Sequence, residues 1–160
     1  MGVKYKVNRE FFKTWSSKMA YVLGFVSADN CGGTVECHCG DTLTESQVMW
    51  YDLNNCGEVG LNIGSNDLTL DCDNHIIGGT GASNGLFLSG RMWITITNCN
   101  IQEFYTGIFL ETSSYNNLEG NTLHENSDYG IYIASSNSDL NHFWNNIFMN
   151  NGVNAYEGMV

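Results

Sequence analysis

The sequence predicts an all-β fold, a parallel β-helix of about four to five coils, and three observations predict it. First, a short unit recurs as Gly60-Leu61-Asn62-Ile63, Gly85-Leu86-Phe87-Leu88, Gly107-Ile108-Phe109-Leu110 and Gly130-Ile131-Tyr132-Ile133, with a weaker copy at Gly152-Val153-Asn154-Ala155. The steps are 25, 22, 23 and 22 residues. A near-constant period of this size marks a solenoid, in which each unit buries its apolar side only against its neighbours. Second, the apolar positions alternate, as in Leu86 and Leu88 around Phe87, which is strand behaviour. Third, the runs are short and split by Gly, Asn and Ser, too brief for helices. Antiparallel hairpins are the ordinary alternative, but they seldom keep one period with the same glycine opening each copy. Parallel stacking of one coil per repeat explains the period directly.

Taken in order, residues 1–30 stand apart from the repeat. Asn8 is placed to cap a first helical turn containing Glu10. Phe11, Phe12, Trp15, Met19, Val22, Leu23 and Val26 follow at the spacing of one helical face. The expected structure is a short N-terminal capping helix over the open apolar end of the solenoid. The chain thus divides into a cap segment (1–30) and a β-helix domain (31–160). Residues 31–59 read as an irregular entry coil, with Asn54-Asn55-Cys56-Gly57 as a turn. From Gly60 each coil carries its first strand and then a second apolar run: Leu68-Thr69-Leu70, Ile94-Thr95-Ile96, Leu118 and Phe143. Ile76, Ile101, Leu123 and Phe148 follow. Asn121 and Asn146 sit two residues before Leu123 and Phe148, with Cys99 in the matching place and Cys72 close to it. Stacked amides at one turn can bond along the axis, as ladders do; plain turn chemistry is the other reading. Glycine is expected to serve turns of positive φ. The last copy stops at the end of the sequence, so the chain is expected to be part of a longer solenoid or to associate end to end.

Charge is divided unevenly. Five of the six cations, against Glu10 alone, make residues 1–28 +4; Arg91 against sixteen carboxylates makes the remainder −15. An acidic repeat body repels phosphates, so nucleic acid is not an expected partner. No apolar run approaches the ~18 residues of a membrane span.

Two resemblances extend this reading. Asp67 to Gly81 resembles the first-coil signature of the right-handed parallel β-helix family, in particular the NosD-like repeats of the pectate-lyase superfamily. Cys39-Gly40-Asp41-Thr42-Leu43-Thr44-Glu45-Ser46 resembles its entry strand, and the likeness covers about residues 37–158. Asn74 stands where that family usually has Gly, and Asn tolerates positive φ. The resemblance implies a right-handed β-helix. Separately, Met19 to Asp29 resembles the first helix of LAGLIDADG homing endonucleases, with Asn30 in place of the final Gly. That likeness implies Asp29 as a metal ligand and a nuclease remnant fused to the solenoid. The family's following saddle of strands and helices is missing. A third reading of the same segment is a secretory signal, with an apolar run from Met19 to Val26 and Val26-Ser27-Ala28 as cleavage site.

Cys37-His38-Cys39 matches no standard zinc spacing and lacks a second close pair, so neither metal nor cofactor is expected. If the chain is exported, a disulfide such as Cys39–Cys56 is expected. Cys72 and Cys99 read as small apolar core residues. His38, His75, His124 and His142 are scattered and read as surface or turn residues.

The candidate site lies on the first strands. Their outward positions read Asn62, Phe87, Phe109, Tyr132, Asn154, and next to them Gly64, Ser89, Glu111, Ala134, Tyr156. Stacking at about 4.8 Å per coil lines these up as two ribbons. Phe87, Phe109 and Tyr132 with Glu111 form a candidate carbohydrate platform, since pyranose faces pack on aromatic rings; stacking for stability alone is the plain alternative. In the resembled superfamily sugars often bind on this outer face. Glycoside hydrolysis needs two carboxyls about 5–9.5 Å apart, and Glu111 has no carboxylate neighbour on its ribbon. Asp71 and Asp73 lie on the second strand. The expected function is a non-catalytic module that binds polysaccharide or serves as an extracellular or cell-surface scaffold. A lyase or hydrolase of the β-helix type is the alternative.

Overall fold

A computed structural model describes residues 29–134 and 137–158. They form an all-β parallel solenoid of about five coils. After β1 (Asn30–Cys31), the first coil holds β2 (Thr42–Leu43), β3 (Gln47–Val48) and β4 (Leu53–Cys56). The second holds β5 (Leu61–Ile63), β6 (Thr69–Asp71) and β7 (Ile76–Gly79). The third holds β8 (Asn84–Ser89), β9 (Thr95–Thr97) and β10 (Asn100–Gln102). The fourth holds β11 (Thr106–Glu111), β12 (Asn117–Glu119) and β13 (Thr122–His124). The fifth holds β14 (Tyr129–Ile133), β15 (His142–Trp144) and β16 (Ile147–Met149), and β17 (Val153–Glu157) follows. Every third strand pairs in parallel, giving three sheets along one axis. Among the described residues there is no helix. The expected cap (1–30) and the endonuclease-like match (Met19 to Asp29) lie outside the described part except for Asp29 and Asn30, of which Asn30 belongs to β1; the signal-like reading, which ends at Ala28, lies wholly outside it.

The inward rows are apolar and closed. Leu61, Leu86, Ile108 and Ile131 align in the first sheet, Leu70, Ile96 and Leu118 in the second, and Ile77, Ile101 and Leu123 in the third. All are essentially buried. The third row runs from Leu53 through Ile77, not Ile76, because Leu70 to Ile77 spans seven residues where Ile96 to Ile101 and Leu118 to Leu123 span five. Asn54 to Cys56, expected as a turn, belongs to β4.

The repeat glycines serve proximity, not turns. Gly60, Gly85, Gly107 and Gly130 lack positive φ. A Cβ on each would lie 2.3–2.6 Å from a carbonyl oxygen of the next coil, closer than any side chain allows. Other glycines, Gly81, Gly90 and Gly120 among them, do take positive φ, and most corners use non-glycine residues there, such as Asn74 at 67°. Residues that align along the axis share this conformation: Asp67, Trp93, Tyr115 and Leu140 at one corner, and Asn98, Gly120 and Asn145 at the next.

Next to the corner residues of the fourth and fifth coils, Tyr115, Gly120, Leu140 and Asn145, an inward Asn side chain satisfies buried backbone. Asn121 is fully buried; its Oδ1 accepts from the Cys99 N–H at 3.0 Å. Its Nδ2 donates to the Ile96 carbonyl at 3.0 Å and to Asn146 Oδ1 at 3.1 Å. Asn116–Asn141 and Asn126–Asn151 repeat the arrangement at the other two corners. Three amide ladders therefore run along the axis.

Cys72 and Cys99 occupy the head of the Asn121–Asn146 column. They are buried, but they are not free apolar residues: a disulfide joins them across 27 residues. Cys31–Cys37 and Cys39–Cys56 are likewise bridged, leaving no free cysteine among the described residues. Closing loops of 6, 17 and 27 residues restricts the unfolded chain by about 2, 3 and 3.5 kcal/mol in the loop-entropy picture.

Asn121→Ala orphans the Cys99 N–H and the Ile96 carbonyl. The expected loss is about 1–3 kcal/mol of unfolding free energy, read from urea midpoints of the oxidised protein. Asn117→Ala, on the outer face, is expected within about 0.5 kcal/mol of wild type; equal losses in both would remove the ladder from the account.

Candidate functional site

The outer face of the seven-stranded first sheet carries an aromatic column. β8, β11, β14 and β17 align Phe87, Phe109, Tyr132 and Tyr156 in register. The fourth member is Tyr156, not Asn154, because the last step is 24 residues and Ala155 opposes Ile131. Asn154 instead meets the close approach made by the repeat glycines, opposite Gly130.

Ring centroids are 5.5 Å apart for Phe87–Phe109, 5.2 Å for Phe109–Tyr132 and 5.6 Å for Tyr132–Tyr156, with planes within 19°. Near-parallel rings this close cannot lie side by side in one plane, so they overlap face to face with an offset. The inner rings spend their faces on one another and present edges. Tyr156, 47% exposed, has no further ring stacked above it among the described residues. Tyr129 broadens the column at its upper end, 4.8 Å from Tyr132 and 5.5 Å from Tyr156.

Polar groups flank the column on both sides. Glu111 is exposed and its Oε2 accepts from the Ser89 hydroxyl at 2.8 Å. On the opposite side the Tyr105 hydroxyl donates to Asp128. That bond, and the negative charge beside it, hold the Tyr105 phenol above its ordinary range. Tyr129 is also raised, chiefly because the surrounding rings strip water from its hydroxyl, with Asp128 adding repulsion. Phe87, Phe109, Glu111 and Tyr132 thus share one face; Tyr105, Asp128, Tyr129 and Tyr156 join them there. Sequence reasoning placed Tyr156 in the adjoining row of Glu111, because the weak last repeat hid its register, and missed Tyr105, Asp128 and Tyr129, which precede the repeat glycines.

The remaining candidates do not gather. His75 Nδ1 lies 2.9 Å from Asp52 Oδ1, which also accepts from the Ile76 N–H at 2.9 Å. Those two bonds, the backbone one first, lower the Asp52 pKa. Asp41 is buried and accepts from the backbone N–H of Asp29 and His38, fastening the entry segment. Asp29 itself is exposed. Among the described residues no three of His, Cys, Asp or Glu come together as a metal site.

A family model described as periplasmic copper-binding protein (NosD) matches residues 8–159. The chain belongs to the NosD family. No curated protein and no solved structure matches it. The copper in that description does not fit this NosD chain's described residues. All six cysteines are in disulfides, and the histidines lie apart. His124 and Met149 are neighbours on the third sheet, a pair of donors without a third. No helix among the described residues is long and apolar enough to cross a membrane.

The raised Tyr105 phenol has a definite sign. Its folded-state pKa exceeds the unfolded value near 10, so its contribution is complete below that pH and fades as pH climbs through the folded value. Asp128→Asn is expected to bring Tyr105 ionisation back toward the ordinary phenol range, followed by tyrosinate absorbance against a Tyr105→Phe reference. An unchanged titration would contradict the assignment.

Proposed function

We propose that this NosD-family chain is a non-catalytic β-helix module that binds carbohydrate on the outer face of its first sheet. The supporting observation is the in-register column Phe87–Phe109–Tyr132–Tyr156, bordered by carboxylates and hydroxyls on both sides. Apolar ring surface beside fixed hydrogen-bonding groups suits a pyranose, which has an apolar face and a polar rim. Tyr156 offers the open ring face, while Phe109 and Tyr132 hold it in place through the stack. Glu111 and Asp128 serve as hydrogen-bond acceptors for sugar hydroxyls. The acidic body favours neutral over anionic polymers.

Catalysis is not part of the proposal. Glu111 has Ser89, not a second carboxylate, as its direct partner, and two-carboxylate hydrolysis needs such a pair. The division into an N-terminal segment (1–30) and a solenoid (31–160) belongs to the same reading, as does export. Three disulfides suit an oxidising compartment such as the periplasm of the family's description.

Glycan-array binding by the folded protein is expected to weaken about tenfold in Phe109→Ala and further in Tyr156→Ala. Binding that survives both substitutions, or no binding by wild type, would reduce the column to a stability device.

A second reading, end-to-end association, has its own support in the fifth coil. Outward rows that are polar in the third and fourth coils turn apolar there. Thr97 and Glu119 are followed by Trp144, Asn100 and Thr122 by Ile147, and Gln102 and His124 by Met149. Trp144, Ile147 and Met149 are 68%, 54% and 47% exposed. On this reading the rim packs on a second copy. Wild type is expected to show a concentration-dependent rise in sedimentation coefficient that Ile147→Lys abolishes; a monomer at all concentrations counts against it.

A further inference from the structure

Away from the first sheet, one corner of the solenoid carries a second exposed aromatic group. Trp93 and Tyr115 align along the axis between Asp67 below and Leu140 above. All four sit at φ of 56–60°. That conformation costs an L-residue about 1–2 kcal/mol, and only Gly, Asn and Asp adopt it readily. The neighbouring corner follows this economy with Asn98, Gly120 and Asn145. This corner does not: it places Trp, Tyr and Leu in the strained positions and leaves them 54%, 49% and 61% exposed. Trp93 and Tyr115 recover part of that cost by stacking, yet about half of each side chain is left in water. Backbone strain that displays side chains to solvent points to a ligand.

The geometry says what kind. Trp93 and Tyr115 stack at 6.0 Å with planes 29° apart, so one indole side is covered. The other side faces the coil of Asp67, whose short side chain leaves a step in the column. Asn66 Oδ1 accepts from the Met92 N–H at 3.1 Å, and the Asp67 N–H donates to the Met92 carbonyl at 3.2 Å. The step is therefore clamped to the coil that carries Trp93. A bare indole face beside an exposed carboxylate, on a fixed backbone, matches a pyranose ring: its C–H face on the indole, its hydroxyls on Asp67.

We propose that the step between Asp67 and Trp93 is a second carbohydrate site, separate from the first-sheet column, which takes one residue of a neutral polysaccharide. Asp67 and the net negative body exclude uronic acids. The site does not depend on the first-sheet reading, since it shares no residue with it.

The test is titration of the full chain with cellohexaose, mannohexaose and hexagalacturonate, following the Trp93 indole N–H by heteronuclear NMR, assigned from its loss in Trp93→Phe. One of the two neutral oligosaccharides is expected to move that resonance saturably. Trp93→Ala should weaken this site about tenfold, Trp93→Phe less, and Asp67→Ala severalfold. Phe109→Ala should leave the Trp93 response intact, which separates this site from the first-sheet column. A silent indole resonance with all three oligosaccharides would overturn the proposal. So would preference for hexagalacturonate, or sugar-independent broadening with concentration that Trp93→Ala relieves, which would mark the ridge as a contact between copies.

Discussion

The buried corners are the constraint on which this fold depends. A coil of some 22–25 residues must bend sharply at three places to close. At each bend the backbone leaves the sheet ladder, yet the inward side of the bend remains in the core. An unpaired N–H there would cost as much as a lost hydrogen bond with nothing to replace it. Inward Asn side chains answer that need because an amide both accepts and donates: Asn116, Asn121 and Asn126 each take an N–H from the coil before and hand a proton to the coil after. Axial order then follows, since each amide is satisfied only if the next coil stacks in register.

The same columns explain the gradient from one end to the other. Asparagine fills the corners of the fourth and fifth coils, whereas Ile94, Cys99 and Phe104 take the corresponding places in the third. Cys99 bonds covalently to Cys72 in the coil below. Phe104 fills the space left by Gly79, where a Cβ would come within 2.5 Å of the ring. One half of the solenoid is thus held by apolar filling and cross-links, and the other by amide ladders. In the final strand, Glu157 opposes the inward Ile133. An inward-pointing charge at a sheet edge is a known way to discourage indiscriminate strand addition. Any partner of that rim must therefore satisfy a carboxylate as well as cover Trp144, Ile147 and Met149.

Much of this was legible in the sequence, for a physical reason. Alternation around Leu86, Ile108 and Ile131 is dictated by burial, and burial is periodic in a solenoid. Asn121 and Asn146 showed their ladder because they recur at the same offset from Leu123 and Phe148. The other two ladders were hidden: their partners in the third coil are Ile94 and Phe104, so the repeat of residue type is broken while the repeat of position is not. The Cys72–Cys99 bridge escaped for a related reason, since a buried cysteine and a half-cystine have the same hydropathy. The role of the repeat glycines was also not readable, because close approach and positive φ both select Gly. In the candidate site, Phe87, Phe109, Glu111 and Tyr132 followed from strict alternation. Tyr156 did not, because a two-residue change in step left Gly152 misaligned with Gly130.

What the outer surface can do follows from how the core is built. Parallel stacking makes every outward position a row, so any chemistry placed there tends to be repeated: ring upon ring, threonine upon threonine. Repetition favours extended contact with a repetitive ligand and works against an active site, which needs unlike groups converging on one atom. Convergence is available where the row is broken, as at Asp67 below Trp93 or at Tyr105 beside Asp128. Those breaks, not the regular face, are where this solenoid can discriminate one ligand from another.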